Sequence, residues 1–191
     1  MKKFFLDCGT HLGQGLNEIA EIIKVDDTWE VHSWEANPFT FQSIKQDSYP
    51  NNYHFYNAAV TVNDLPVSLN VESFGENDCG QGSSIIEKEL WMNPMHKGTF
   101  NKTVEVSGID FSAWVKNHCT AEDTVIVKLD IEGAEYNVLE KMILDNTIDL
   151  VDHFYIEWHS RFFPNKEDYW KRQTNIIDCL RQKNIQITRW K

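Results

Sequence analysis

Short apolar segments that each stop at a polar residue and run into a helical repeat make up most of the chain. Residues 4–6 are apolar and end at Asp7. Between residues 14 and 24, the apolar side chains recur at the 3.6-residue spacing of a helix with one buried face. The opening stretch therefore predicts a strand, a turn and a helix.

The same succession continues to the end of the chain. The predicted strands are residues 4–6, 29–34, 53–61, 67–71, 104–106, 124–129, 150–158 and 185–189. Helices are predicted to begin near Gln14, Pro38, Asp110, Ala134 and Lys166. In the last helix we expect Trp170, Ile176, Ile177 and Leu180 to face the core. Alternating strands and helices predict an α/β fold, an open and mostly parallel sheet flanked by helices.

Residues 72–102 interrupt this pattern. Glycine, proline and asparagine break any period there, although residues 85–92 could form a short helix. A loop of this length in a compact domain is usually functional, so we interpret it as a lid. An equally good interpretation is a cover for the sheet edge or a dimer contact. The side chains behind both interpretations are Trp91, Met92, Met95, His96 and Phe100.

Composition limits the class of protein. A chain of 191 residues with 41% hydrophobic and 25% charged residues predicts one globular domain over residues 1–191. The net charge of −11 disfavours a nucleic acid as partner and favours a neutral or cationic substrate. The four cysteines form no C-x-x-C pair, and no apolar run is long enough for a signal peptide or a membrane span. We therefore expect a cytoplasmic protein.

The turn after the first strand carries Asp7, Gly9 and Gly13 in the pattern D-x-G-x-x-x-G. A dinucleotide site needs G-x-G-x-x-G, because a pyrophosphate requires several bare N–H groups at a helix N-terminus. S-adenosylmethionine carries an amino acid, a ribose and an adenine, so it needs close backbone approach and carboxylates. The pattern favours that ligand, although a plain turn would also use such glycines.

Polar residues end nearly every predicted strand. They are Asp7 and Gly9, Glu35, Asn57, Asp130 and Glu132, and Glu157 and His159. Parallel sheets bind ligands at the carboxyl ends of their strands, so we predict a site at this edge. Glu35 is placed to accept hydrogen bonds from ribose hydroxyls, or simply flanks the next helix. The carboxylates of Asp130, Glu132 and Glu135 would repel one another unless Lys128, a cation or a ligand offsets them, although Glu132 and Glu135 could also serve a helix dipole.

Four segments resemble the FkbM-type S-adenosylmethionine-dependent methyltransferases. They are residues 5–13, residues 34–38, Ser83-Ser84 ahead of a Val-Glu-Val-x-x-Ile-Asp segment, and residues 127–135. The resemblance implies a Rossmann-like class I methyltransferase fold and O-methylation of a sugar hydroxyl in a glycan or glycosylated small molecule. It implies that Ala58 or Ala59 lies near the adenine and Asp130 at the methyl-transfer rim. The implied cofactor-binding residues are Asp7, Gly9, Thr10, His11, Gly13, Glu35, Ala58 and Asp130.

A sugar hydroxyl is a weak acid, so its methylation needs a way to remove a proton. Asp130, Glu157 and His159 are the candidate general bases. The same three could instead hold a divalent cation, Mg²⁺ or Mn²⁺, that acidifies the hydroxyl. Alternatively, Glu157 pairs with Arg161, and His159 packs among Trp158, Phe162 and Phe163. The alternative functions are methylation of another small acceptor and a non-catalytic module that binds the cofactor.

Overall fold

The computed structural model describes residues 1–87 and 97–190. Its strands are β1 (Lys3–Cys8), β2 (Trp29–Trp34), β3 (Tyr53–Tyr56), β4 (Ala59–Thr61), β5 (Val67–Ser73), β6 (Thr99–Val106), β7 (Gly108–Asp110), β8 (Thr124–Leu129), β9 (His153–Ile156) and β10 (Gln186–Arg189). Its α-helices are α1 (Gln14–Ile23), α2 (Pro38–Ser43), α3 (Phe111–His118), α4 (Glu135–Leu144) and α5 (Lys166–Gln182).

Six strands form a central parallel sheet in the order β10-β9-β8-β1-β2-β3. The chain winds outwards from β1 in one direction through β2 and β3, and from β8 in the other through β9 and β10. Strand order therefore reverses between β1 and β8, the position at which open α/β sheets bind ligands. The predicted α/β fold with a mostly parallel sheet is confirmed.

The two faces of the sheet pack against different helices, because successive strand residues point to opposite faces. Phe4, Leu6 and Cys8 of β1 join a core with residues of α3, α4 and α5. Phe5 faces the other way and packs in a second core with Leu16 and Ile19 of α1. Both faces are thus covered, which explains why the central strands are nearly continuously apolar.

Two predicted helix starts are confirmed by their capping contacts. Asn37 Oδ1 accepts a hydrogen bond from Phe39 N at 3.0 Å, with Pro38 in the first turn of α2. Asp110 Oδ1 accepts one from Ala113 N at 3.0 Å at the start of α3. These capping side chains determine where α2 and α3 begin.

Three expectations about elements are wrong. The predicted strand 53–61 is split, because Asn57 turns to donate its side-chain amide to Glu35 O at 2.8 Å and β4 then pairs with β7 outside the main sheet. The predicted strand 150–158 is shortened to β9, since Thr147–Leu150 forms a 3₁₀ turn. Trp170 is 55% exposed, because the inward stripe of α5 runs through Ile176 and Leu180, and Trp170 lies to one side of it.

The segment predicted as a lid is flanked by the antiparallel pair β5 and β6. β5 ends at Ser73 and β6 begins at Thr99, so both ends of the predicted loop 72–102 belong to strands. Residues 85–87 are not helical, and the rest of the predicted helix 85–92 lies outside the described residues. In the described part of the chain, no helix has the length and hydropathy that crossing a bilayer would require.

Candidate functional site

A cavity of about 860 Å³ opens at the carboxyl edge of the sheet, over the point where strand order reverses. The loops after β1, β2, β8 and β9 all contribute to its wall. Of the predicted site residues, those on the wall are Gly9, Thr10, His11, Glu35, Ala58, Asp130 and Glu157. The edge predicted from the polar strand ends therefore encloses a cavity of the size that small-molecule ligands use.

One side of the cavity, which we call the glycine-loop wall, is lined by His11 and Glu35, with Asn37 buried behind them. Glu35 Oε2 accepts a hydrogen bond from His11 N, and its Oε1 accepts one from Asn37 N, both at 2.7 Å. Burial raises the pKa of Glu35, and these two backbone hydrogen bonds oppose the rise. The carboxylate is thus held in place by main-chain groups of two loops, and each oxygen retains a lone pair that a ligand hydroxyl can use.

Two of the predicted cofactor-binding residues, Asp7 and Gly13, lie behind this wall. Asp7 is fully buried; its Oδ2 accepts a hydrogen bond from Ser33 Oγ at 2.8 Å, and its Oδ1 lies 3.2 Å from Lys128 Nζ. Gly13 has a φ of 91° at the start of α1, and a side chain there would collide with the hydroxyl of Tyr49. The structure therefore places both residues in support of the loop and away from the cavity surface.

A second side of the cavity, which we call the acidic rim, is lined by Asp130, Glu132 and Glu157, with His159 buried behind them. His159 Nε2 lies 3.5 Å from Glu132 Oε1, 3.7 Å from Glu157 Oε1 and 3.9 Å from Asp130 Oδ1. The imidazole is 1% exposed, and its ring stacks on Phe162 with the centroids 5.9 Å apart. The predicted convergence of Asp130, Glu157 and His159 is present, and Glu132 joins them.

The protonation state of His159 follows from these neighbours. Burial alone would lower the pKa of His159, but the attraction of Glu135 and the hydrogen bonds with Glu132 and Glu135 raise it to about 10. At neutral pH the ring is then an imidazolium, which donates hydrogen bonds and cannot accept a proton. Among the predicted bases, this arrangement favours the carboxylates Asp130 and Glu157 over His159.

Glu135 is the functional residue that sequence reasoning missed. It is fully buried, and its Oε1 accepts from His159 Nδ1 at 2.8 Å, Ile131 N at 3.0 Å and Gly133 N at 3.2 Å. The sequence suggested only a carboxylate serving a helix dipole, and the two backbone contacts fit that role. His159 lies 24 positions away in the loop after β9, so only the tertiary structure shows this contact.

The structure changes the predicted metal-ligand set. Potential ligand atoms of Asp130, Glu132 and His159 all lie within 4.8 Å of one another. Glu157 is instead drawn to Arg161, whose Nη2 donates to Glu157 Oε1 at 2.9 Å. Two carboxylates and a histidine whose other nitrogen is held by a carboxylate form a donor set that suits a divalent cation, provided that the cation displaces the Nε2 proton of the imidazolium.

Part of the predicted lid crosses the cavity and joins its two sides. Cys79 O lies 2.9 Å from His11 Nε2, and Asn37 Nδ2 donates to Asp78 O at 2.7 Å. Farther along, Ser84 Oγ donates to Glu132 O at 2.7 Å. Phe100 lies on the cavity wall. The predicted lid residues Trp91, Met92, Met95 and His96 lie outside the described part of the chain.

Three features mark the carboxyl edge of this sheet. They are the glycine-rich end of β1, the acidic residue after β2 and the acidic turn after β8. The sequence profile of the methyltransferase FkbM domain matches residues 7–184. The chain belongs to the FkbM methyltransferase family. The predicted family is therefore confirmed.

A solved structure supports the fold. It is the methyltransferase FkbM from Methylobacillus flagellatus KT, which superposes with a TM-score of 0.52 at 14% sequence identity and covers 93% of this chain. The FkbM domain described here spans 37% of the length of that chain. At this identity the likeness concerns the fold. Among curated proteins, none matches this chain in sequence.

Proposed function

We propose that this domain is an S-adenosylmethionine-dependent O-methyltransferase that acts on a sugar hydroxyl of a glycan or glycosylated small molecule. The observation that carries the proposal is one cavity with two different sides. Its glycine-loop wall presents Glu35 on a backbone scaffold, and its acidic rim presents Asp130 and Glu157. A methyl donor and a hydroxyl acceptor need two such sides that face each other.

The residues on the glycine-loop side fit S-adenosylmethionine, the methyl donor that such families generally use. Gly9 packs against the carbonyl of Asp130 with no room for a side chain, and it lines the cavity. Glu35 can accept the hydrogen bonds of ribose hydroxyls, and Ala58 and Ala59 give an apolar wall for an adenine. Bound there, the cofactor would supply an electrophilic methyl group.

The acidic rim and its surroundings fit a sugar. Carboxylates accept hydrogen bonds from hydroxyl groups, and Asp130, Glu132 and Glu157 all reach the cavity. Phe74, Phe100 and Phe162 also line it, and aromatic faces pack against the C–H faces of sugar rings. The alternative acceptors are other small molecules with a hydroxyl, including peptide or lipid-linked ones.

In this mechanism, Asp130 would accept the proton of the reacting hydroxyl. The His159 imidazolium, held through Nδ1 by Glu135, offsets the charge of the rim carboxylates. The remaining contribution is alignment, because methyl transfer is an in-line displacement that needs the two reacting atoms in a narrow geometry.

A metal-assisted version has its own support in the cluster of Asp130, Glu132 and His159. A Mg²⁺ or Mn²⁺ ion there would orient the hydroxyl and lower its pKa. Titration of the protein with Mn²⁺, followed by electron paramagnetic resonance, tests for the ion directly. Methyl transfer that is unchanged by EDTA would contradict this version and leave the Asp130 base.

The acceptor assay tests the proposed function. The protein is incubated with S-adenosylmethionine carrying a labelled methyl group and with a panel of free monosaccharides, methyl glycosides and oligosaccharides. We expect label in at least one saccharide as an alkali-stable ether. Transfer only to non-sugar hydroxyls would favour the alternative acceptor, and cofactor binding without transfer to any acceptor would favour a non-catalytic module.

The proposal has consequences for partners and location. The net charge of −11 makes a nucleic-acid acceptor unfavourable, because such binding depends on basic residues that contact phosphates. We propose that the domain works in the cytoplasm on an acceptor in solution. This setting also suits the cofactor, which is made and used inside cells.

A further inference from the structure

Lys128 is a buried cation in an otherwise apolar strand. It is 1% exposed, and its Nζ donates to Gly9 O at 2.9 Å. The same atom lies 3.2 Å from Asp7 Oδ1 and 3.5 Å from Asp130 Oδ2. A buried ammonium is costly unless it is compensated, and here one carbonyl accepts its hydrogen bond while two carboxylates lie within ion-pair distance.

Packing does not explain a lysine at this position. Strand register places Ser33, Asp7 and Lys128 side by side across β2, β1 and β8, on the face covered by α1. The row two residues earlier on the same face is apolar and consists of Val31, Phe5 and Ile126. An apolar residue at position 128 would simply continue that core, and buried ion pairs are often less stabilising than such packing.

The surrounding backbone is shaped around this side chain. A Cβ added to Gly15, in the first turn of α1, would lie 2.5 Å from Lys128 Cε. A side chain on Gly9 would collide with the carbonyl of Asp130, and Asp130 N donates to Cys8 O at 3.1 Å. The glycine loop and the strand end that carries Asp130 are thus in direct contact, and Lys128 reaches both.

We infer that Lys128 is a positioning residue for methyl transfer: its ammonium, bonded to Gly9 O and paired with Asp130, fixes the Asp130 carboxylate relative to the loop that holds the methyl donor. The inference rests on the proposed function. Lys128 acts through Gly9 and Asp130. Since a displacement of about 1 Å can cost about a hundredfold in rate, loss of this link should slow transfer more than it weakens binding.

The test separates this role from stability by working in the Asp7→Asn background. Lys128→Met alone would leave the buried carboxylate of Asp7 and the partly buried one of Asp130 without their cation, whereas Asp7→Asn/Lys128→Met removes the buried charge. We compare this double variant with Asp7→Asn alone, and measure thermal unfolding, S-adenosylmethionine affinity by calorimetry, and labelled methyl transfer to the best saccharide of the acceptor panel.

We expect kcat to fall by at least about tenfold while the cofactor Kd and the acceptor KM change by less than about threefold. A second comparison uses Asp130→Asn, in which Lys128→Met should change kcat by less than about twofold, because the carboxylate to be positioned is gone. Lys141→Met is the matched control: this lysine pairs with Asp145 at 2.8 Å on α4, away from the cavity, and its loss should not affect transfer.

Two results would overturn the inference. One is a kcat of the Asp7→Asn/Lys128→Met protein equal to that of Asp7→Asn. The other is a Lys128→Met effect of the same size with and without the Asp130 carboxylate. Both leave the proposed function intact as long as the wild-type protein binds the cofactor and transfers its methyl group. A wild-type protein that does neither contradicts the proposed function and this inference together.

Discussion

The two sides of the cavity are organised by different kinds of contact. In the glycine-loop wall, one carboxylate, Glu35, is held by two backbone N–H groups at 2.7 Å. In the acidic rim, three carboxylates lie 3.5 to 3.9 Å from the single imidazole of His159. Backbone contacts form a fixed site for a ligand that does not vary, whereas a side-chain charge cluster responds to its ligand and to pH. This difference suits a constant methyl donor on one side and proton transfer on the other.

The largest effect should come from Asp130, because it alone both lines the rim and contacts the glycine loop. We expect Asp130→Asn to lower kcat by about a hundredfold or more, with the Kd for S-adenosylmethionine within about threefold of wild type. Steady-state transfer with and without EDTA, together with calorimetry, measures both quantities.

Glu157→Gln is the matched comparison within the same rim. Glu157 is paired with Arg161 at 2.9 Å, so its carboxylate is less available to a substrate. Its loss should cost less than about tenfold in kcat. A larger loss with Glu157→Gln than with Asp130→Asn would move the general base to Glu157.

The charge balance of the rim predicts a pH dependence of stability. A histidine whose folded-state pKa is raised from 6.5 to about 10 stabilises the fold fully below about pH 6.5, and this contribution is lost as the pH rises through about 10. Glu135→Gln should lower the free energy of unfolding by about 1.5–3 kcal/mol at pH 6.5 and by less at pH 10. Urea unfolding at both pH values measures the difference.

A direct readout of the same prediction is the NMR titration of His159 in the presence of EDTA. Its ring should stay protonated from pH 6 to about pH 9, since its pKa is about 10. His32 is the internal contrast, because burial and the neighbouring His54 lower its pKa to about 4 and keep it neutral over the same range. A His159 resonance that titrates near pH 6.5 would contradict the imidazolium.

The smallest effect should come from the segment that joins the two sides. Ser84→Ala removes the hydrogen bond to Glu132 O, a loss of about 1 kcal/mol. We expect the acceptor KM to rise by about fivefold with little change in cofactor affinity. Thr174→Ala is the control, since Thr174 Oγ1 donates to Trp170 O within α5. An effect on the cofactor Kd alone would instead assign the segment to the glycine-loop wall.

The glycine-loop wall could be predicted from sequence because its signals are local. Gly9, Glu35 and the Asn37 cap each follow directly from a strand end or a helix start. The residues of the acidic rim were identified from sequence, and the pair of Glu157 with Arg161, four positions apart, was one of the alternatives. The contact of Glu135 with His159 could not be predicted, because it depends on how α4 and the loop after β9 pack.

Asp7 and Lys128 show the same limit in the fold. Because side chains alternate along a strand, the sequence shows which residues share a face of the sheet with each of them. The partner of either residue can be known only once the order of the strands is known. The register of β1 with β8 turns two isolated charges into a buried pair. The prediction that Trp170 faces the core was wrong for a related reason. In a long and mostly polar helix, the sequence determines the direction of the buried stripe only poorly.

The most direct test of the central claim is a calorimetric titration of the wild-type protein and of Glu35→Gln with S-adenosylmethionine. The account predicts one-to-one binding by the wild type and an affinity at least about tenfold weaker for Glu35→Gln, which loses a charged acceptor for the ribose hydroxyls. Glu21→Gln, on the exposed side of α1, should bind as the wild type does. Absence of binding by the wild type, or equal binding by Glu35→Gln, would contradict the assignment of this cavity to the methyl donor.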